Sequence, residues 1–232
     1  MRAANREMSG AVEFNTSVSW QAFCNGRADA PQPLIVYLHG YGENKVSFRE
    51  KSAPVQEIAG WHLFINGPYP LPRPGIPDRG YAWYIYDGPG SDFAAELHRA
   101  TEVVEAVRDQ FIREVQVAEI AVVGFSMGAY LGGYWSLFGS HPPEYAALCG
   151  GRIKSELLKT KPAAEPKPRA IAAFHGKHDK SVDGNRQQQS IDTLLSYGYN
   201  AGQHWLDCGH RFEGIMADSV QQWLKASIKT SN

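Results

Sequence analysis

The sequence predicts an α/β fold: a mostly parallel central sheet with helices on both faces. Three observations predict it. Short apolar runs of strand length alternate with amphipathic stretches of helix length. Most of those runs are apolar throughout, as strands covered on both faces are. The residues suited to chemistry fall just after such runs, at strand carboxyl ends, where open parallel sheets carry their sites.

The elements follow in order. Val12 to Phe23 holds several stretches of alternation and reads as an edge strand. Leu34-Ile35-Val36-Tyr37-Leu38 reads as a buried strand, and a helix is expected around Ser47–Ala59 despite Pro54. His62 to Ile65 is a further strand. Residues 92–113 carry the clearest helical signal. Phe93, Leu97, Ala100, Val104, Val107 and Phe111 lie on one stripe, behind a cap at Ser91 or Asp92. Ile120–Val123 is a strand and 127–138 a helix. Strands are expected at Tyr145–Cys149, Ala170–Phe174 and 203–207, and helices at 186–197 and 215–228. The whole, 1–232, reads as a single domain with loop insertions near 67–91 and 152–168, both rich in proline.

Composition narrows the function. Hydrophobic residues make up 43% and charged residues 20%, a globular balance. A formal net charge of −1 offers no field for nucleic acid or anionic lipid. Cys24, Cys149 and Cys208 are too few and too scattered for a disulfide framework. No run approaches the length of a membrane-spanning helix, and residues 1–15 contain no apolar leader, so a cytoplasmic protein without cofactor is expected.

The strongest motif is Gly124-Phe125-Ser126-Met127-Gly128, a G-x-S-x-G between a buried strand and a helix of small residues. Alone, the pattern arises by chance in about one chain in ten of this length. The strand-to-helix setting is what the chemistry requires. A serine on a sharp, strained turn projects its hydroxyl from the sheet edge, and glycines let strand and helix approach. Ser126 is the expected nucleophile.

A serine hydroxyl needs a base, and the base needs an acid to orient it. His210, in Cys208-Gly209-His210 after the last strand, is the expected base, ahead of His204. Asp179, in His175-Gly176-Lys177-His178-Asp179, is the expected acid, with Asp183 its nearest rival. His175, His178 and Asp179 could also be read as metal ligands, but no third well-spaced ligand group supports that, and no metal is expected. The turn His39-Gly40-Tyr41 follows the first buried strand. The backbone N–H groups of Tyr41 and Met127 are therefore expected to form an oxyanion hole, with His39 holding the loop. Tyr69, Trp83 and Tyr84 are expected to border the substrate pocket.

These segments, with Leu38-His39-Gly40-Tyr41-Gly42, make the chain resemble the phospholipase/carboxylesterase group of α/β-hydrolases, which includes the acyl-protein thioesterases. The resemblance spans residues 34 to 212. It implies an α/β-hydrolase fold, a catalytic Ser126–Asp179–His210 set and oxyanion donors at Tyr41 and Met127. Many members carry glutamine where this chain has Met127, a position that needs only its backbone N–H. The aromatic run within 67–91 replaces the lining of long-acyl thioesterases. The expected partner is thus a small-molecule ester or thioester, cleaved through an acyl-enzyme on Ser126. The alternatives are an amidase or peptidase on the same fold and a non-catalytic binding protein. Such binding proteins usually lose one of the three residues, and all three positions are filled here.

Overall fold

The computed structural model describes residues 16–72, 79–86, 88 and 92–228. Nine strands are described: β1 (Trp20–Asn25), β2 (Gln32–Leu38), β3 (Gly60–Ile65), β4 (Tyr69–Leu71), β5 (Gly80–Ala82), β6 (Val117–Phe125), β7 (Tyr145–Cys149), β8 (Ala170–Gly176) and β9 (Ala201–Leu206). Five α-helices accompany them: α1 (Lys45–Lys51), α2 (Phe93–Ile112), α3 (Met127–Phe138), α4 (Gly184–Ser196) and α5 (Ile215–Ser227).

Seven strands form the central sheet in the order β1-β3-β2-β6-β7-β8-β9. All neighbours are parallel except β1, which runs antiparallel to β3 at the edge. Along β2 the side chains split between the two faces, as the two-residue strand period requires. Leu34, Val36 and Leu38 join the core under α2, α3 and α4. Ile35 and Tyr37 join the core that holds Phe48 of α1 and Met216, Val220 and Leu224 of α5. Both faces of the strand are therefore dry, which is why its sequence is apolar without alternation.

The chain leaves β2 toward β3 on one side and later returns as β6 on the other. The direction of winding thus reverses between β2 and β6. Their carboxyl ends carry Gly40-Tyr41 and Ser126, the place where an open sheet leaves a crevice.

Several boundaries differ from the sequence reading. The edge strand begins at Trp20, and residues 12–15 lie outside the described set. The helix expected over Ser47–Ala59 is shorter and earlier. Asn44 caps it, with its side chain accepting from the N–H groups of Val46 and Ser47, and it ends at Lys51. Pro54 then sits near the start of a 3-10 turn over Ala53–Glu57, where its missing N–H is not needed. Of the two proposed caps for α2, Asp92 accepts from the Ala95 N–H at 3.1 Å, while Ser91 lies outside the described residues. The segment expected to be a loop near 67–91 contains a two-stranded antiparallel ribbon of β4 and β5. The segment at 152–168 contains a 3-10 turn over Ser155–Lys159.

Candidate active site

Ser126 sits between β6 and α3 with φ 51° and ψ −114°. Among the described residues it is the non-glycine residue with a positive φ. The strain is held by packing on both sides. A Cβ on Gly124 would lie 2.4 Å from the Gly128 carbonyl oxygen, and one on Gly128 would lie 2.0 Å from that of Leu38. Only glycine lets α3 start so close to β6 and β2. The Ser126 N–H is tied to the Cys149 carbonyl at 2.8 Å and its carbonyl accepts from the Ala129 N–H at 2.9 Å, so the backbone is held and the hydroxyl is the group it presents.

That hydroxyl meets His210, whose Nε2 lies 3.0 Å from Ser126 Oγ. On the far side of the ring, Nδ1 lies 2.7 Å from Asp179 Oδ2. Three residues from three separate loops thus form one hydrogen-bonded chain. The His210 ring packs against Phe125, with centroids 4.9 Å apart. Asp179 is 1% exposed, and its other oxygen accepts from the N–H groups of Ser181 at 2.7 Å and Val182 at 3.0 Å. Burial pushes this carboxyl up, but the His210 hydrogen bond and the two backbone N–H groups outweigh burial. The net result is a carboxyl held below its usual range.

The rival residues lie elsewhere. Asp183 caps α4, accepting from the Asn185 N–H at 2.9 Å. His204 stacks on Phe174. His178 turns outward to Asp207 at 2.8 Å. His175 donates from Nε2 to the Val182 carbonyl at 3.0 Å, and that nitrogen is 3.5 Å from Asp179 Oδ2. Among the described residues no group of three acidic, histidine or cysteine side chains is arranged to hold a metal ion.

The turn after β2 forms the opposite wall. His39 is fully buried and neutral, its pKa lowered to about 4 by burial. Its Nδ1–H donates to the Gly40 carbonyl at 2.7 Å, and its Nε2 accepts from the Gly67 N–H at 3.1 Å. The β4–β5 ribbon adds bonds from the Gly42 N–H to the Tyr81 carbonyl at 3.0 Å and from the Tyr81 N–H to the Glu43 carbonyl at 2.8 Å. The loop is thereby fixed, yet among the described residues the N–H groups of Tyr41 and Met127 donate to no protein acceptor. Both residues line the same cavity as Ser126.

This cavity measures about 390 Å³ and is walled mainly by aromatics. From the aromatic run it takes Tyr84 and Tyr86. Trp83 and Tyr69 line a separate groove beside α2 instead. Trp83 is fully buried and donates from Nε1 to the His39 carbonyl at 2.9 Å, so it supports the loop from behind. The chain bends at Trp83 and Tyr84 just after β5, which sends the indole behind the His39 turn and the Tyr84 ring into the cavity. The sequence reading missed Phe93, Tyr130, Arg152 and Lys154, which also line the cavity. Tyr130 follows Ser126 by four residues, a helical spacing that could have revealed it. Arg152 and Lys154 carry no such signal.

The family model described as phospholipase/carboxylesterase matches residues 21–228 of the chain. The chain belongs to that family. Phospholipases and carboxylesterases are hydrolases of the esterase type, and this protein shares that general chemistry. Solved structures agree on the α/β-hydrolase fold. Esterase PE8 superposes with a TM-score of 0.75 at 22% identity, covering 92% of this chain and 100% of its own. A Bacillus cereus carboxylesterase gives 0.71 at 15% identity, covering 90% and 95%. Acyl-protein thioesterase 2 of Zea mays gives 0.65 at 20% identity, covering 91% and 99%. No curated protein sequence matches the chain.

Proposed function

We propose that the protein is a serine carboxylesterase or thioesterase that works through an acyl-enzyme on Ser126. The observation that carries the reading is the unbroken hydrogen-bonded chain from Asp179 through His210 to Ser126, at 2.7 Å and 3.0 Å. In this reading Ser126 Oγ attacks the substrate carbonyl while His210 Nε2 takes its proton. The carbonyl π electrons move onto oxygen, and the N–H groups of Tyr41 and Met127 hold that oxyanion. Collapse expels the alcohol or thiol, which receives the proton from His210. Water then repeats the sequence and releases the acid. Asp179 stabilises the imidazolium at each stage. The carbonyl-bearing substrate is a small molecule, sized to a cavity of about 390 Å³. Three free thiols, Cys24, Cys149 and Cys208, favour a cytoplasmic setting.

The test is Ser126→Ala assayed with p-nitrophenyl acetate and butyrate. A fall in kcat of at least about 10⁴-fold is expected. Activity near that of the parent would remove Ser126 from the role.

A further inference from the structure

The loop after β7 brings charge into an otherwise aromatic cavity. Gly150 and Gly151 press the chain against the reacting groups. A Cβ on Gly150 would lie 3.2 Å from His210 Nδ1, and one on Gly151 would lie 2.9 Å from the Ser126 carbonyl oxygen. Arg152-Ile153-Lys154 come next. Ile153 is buried, packs where Gly133 leaves room on α3, and donates its N–H to Gln187 Oε1 at 2.7 Å. Ile153 is thereby anchored, and Arg152 and Lys154 on either side of it both line the cavity that holds Ser126.

We propose that Arg152 and Lys154 bind an anionic group, a carboxylate or a phosphate, carried by the ester or thioester substrate. The inference rests on the Ser126 reading above and narrows its substrate class. The charge balance supports it. Glu156 is the carboxylate paired with both cations, at 2.9 Å from Arg152 and 2.7 Å from Lys154. One carboxylate against two cations leaves a net positive charge. The bland alternative is a solvated surface network. Against it, the Arg152 and Lys154 side chains are only 25% and 21% exposed. Two partly desolvated cations beside one carboxylate are unfavourable in a pocket meant for a neutral ester, and become favourable when an anion joins them. The walls fit the rest of such a substrate. Phe93 packs edge-on with Tyr84, Tyr86 and Tyr130 at 5.2, 5.4 and 6.0 Å, which gives an apolar surface for the portion between the anion and the reacting carbonyl.

The experiment compares kcat/KM within two matched pairs. One pair is p-nitrophenyl hydrogen adipate against p-nitrophenyl hexanoate, with the anion on the acyl side. The other is 4-carboxyphenyl acetate against 4-carbamoylphenyl acetate, with the anion on the leaving group. The charged member of one pair is expected to be preferred by about 10- to 100-fold, mostly through KM. The pair that shows the preference identifies the side that carries the anion. In Arg152→Gln/Lys154→Gln the ratio should fall toward unity, and in the unmutated protein it should fall with rising salt. No preference in either pair, or a preference that survives both the substitutions and the salt, would overturn the proposal. Calorimetric titration with adipate alone separates the two readings. Binding that depends on Arg152 and Lys154, without Ser126-dependent turnover of p-nitrophenyl butyrate, would keep the anion site and sink the esterase. Turnover without charge preference or adipate binding would do the reverse.

Discussion

The two oxygens of Asp179 divide their partners: Oδ2 takes His210 Nδ1 at 2.7 Å, while Oδ1 takes the backbone N–H groups of Ser181 and Val182 at 2.7 and 3.0 Å. The backbone bonds hold the carboxylate still, and the held carboxylate decides which ring nitrogen of His210 carries the proton. With the proton on Nδ1, the bare Nε2 faces Ser126 Oγ. An acid held below its ordinary pKa stays charged at any pH at which the base can work.

Asp179→Asn tests this division. The amide oxygen can keep the Ser181 and Val182 bonds, which leaves an NH₂ group facing His210. To pair with it, the imidazole must accept at Nδ1 and carry its proton on Nε2, where it cannot take another. We expect kcat on p-nitrophenyl butyrate to fall by about 10⁴-fold, with Tm nearly unchanged. A loss of less than tenfold with the fold intact would show that the carboxylate does not set the tautomer.

Much of this site could be read from the sequence because its signals are local. The strand before Ser126, the glycines at 124 and 128 and the small-residue helix are contiguous, and a strained turn demands that combination. His210 and Asp179 follow from chain order and from their places after apolar runs. What could not be read depends on contacts between distant segments. The β4–β5 ribbon pairs Tyr69 with Ala82 across a proline-rich stretch, and nothing in either short strand announces the other. Trp83 and Tyr84 are neighbours of similar chemistry, and only the packing of the indole on His39 decides which one reaches the cavity. Arg152 and Lys154 sit in a basic, proline-bearing segment that resembles any solvated loop until Ile153 is seen wedged against α3.

The strand-to-helix contact yields a sharp contrast in stability. Gly128→Ala places a Cβ 2.0 Å from the Leu38 carbonyl oxygen, a backbone atom that cannot step aside. We expect a loss of about 3 kcal/mol or more in urea unfolding, with activity lost alongside. Gly202→Ala is the control. Its added methyl meets nothing within 4 Å, and the backbone is not in the left-handed region, so a change within about 0.5 kcal/mol is expected. Equal effects at the two positions would contradict the close approach of α3.

Acid should weaken the fold through two buried histidines outside the reacting set. His39 and His62 are fully buried and each has its pKa lowered to about 4, chiefly by burial. His62 is held neutral, accepting from Tyr37 Oη at 2.9 Å and donating to the Ile58 carbonyl at 3.0 Å. The unfolded chain binds these protons near pH 6.5 and the folded chain only near pH 4, so the unfolded state carries more protons in between. The contribution of each residue is therefore complete above about pH 6.5 and is lost as pH falls toward 4, by about 3 kcal/mol each. His62→Phe cannot titrate. Whatever its stability at pH 7, its slope between pH 6 and 4.5 should be shallower than the parent's by about 1 kcal/mol per pH unit. Parallel slopes would mean that His62 is protonated in the fold.

Strain at the nucleophile gives the last test, because it sets stability against activity at one residue. With φ 51° and ψ −114°, Ser126 occupies backbone space that glycine enters freely and a Cβ-bearing residue does not. The strain is held in place by the Cys149 hydrogen bond and by the neighbouring Gly124 and Gly128. Ser126→Ala keeps the Cβ and so keeps the strain, whereas Ser126→Gly removes it. Both variants lose the hydroxyl and should be equally inactive on p-nitrophenyl butyrate. They should nonetheless differ in stability, with the glycine variant firmer by about 1 kcal/mol, the lower end of the range for such backbone strain. Comparing these two inactive variants cancels the loss of the Ser126–His210 hydrogen bond, which they share. What remains is the backbone term, set against the greater freedom that glycine gives the unfolded chain. If the alanine variant proved the more stable of the two, the turn would be unstrained, and the positive φ at Ser126 would need another origin than the exposure of its hydroxyl.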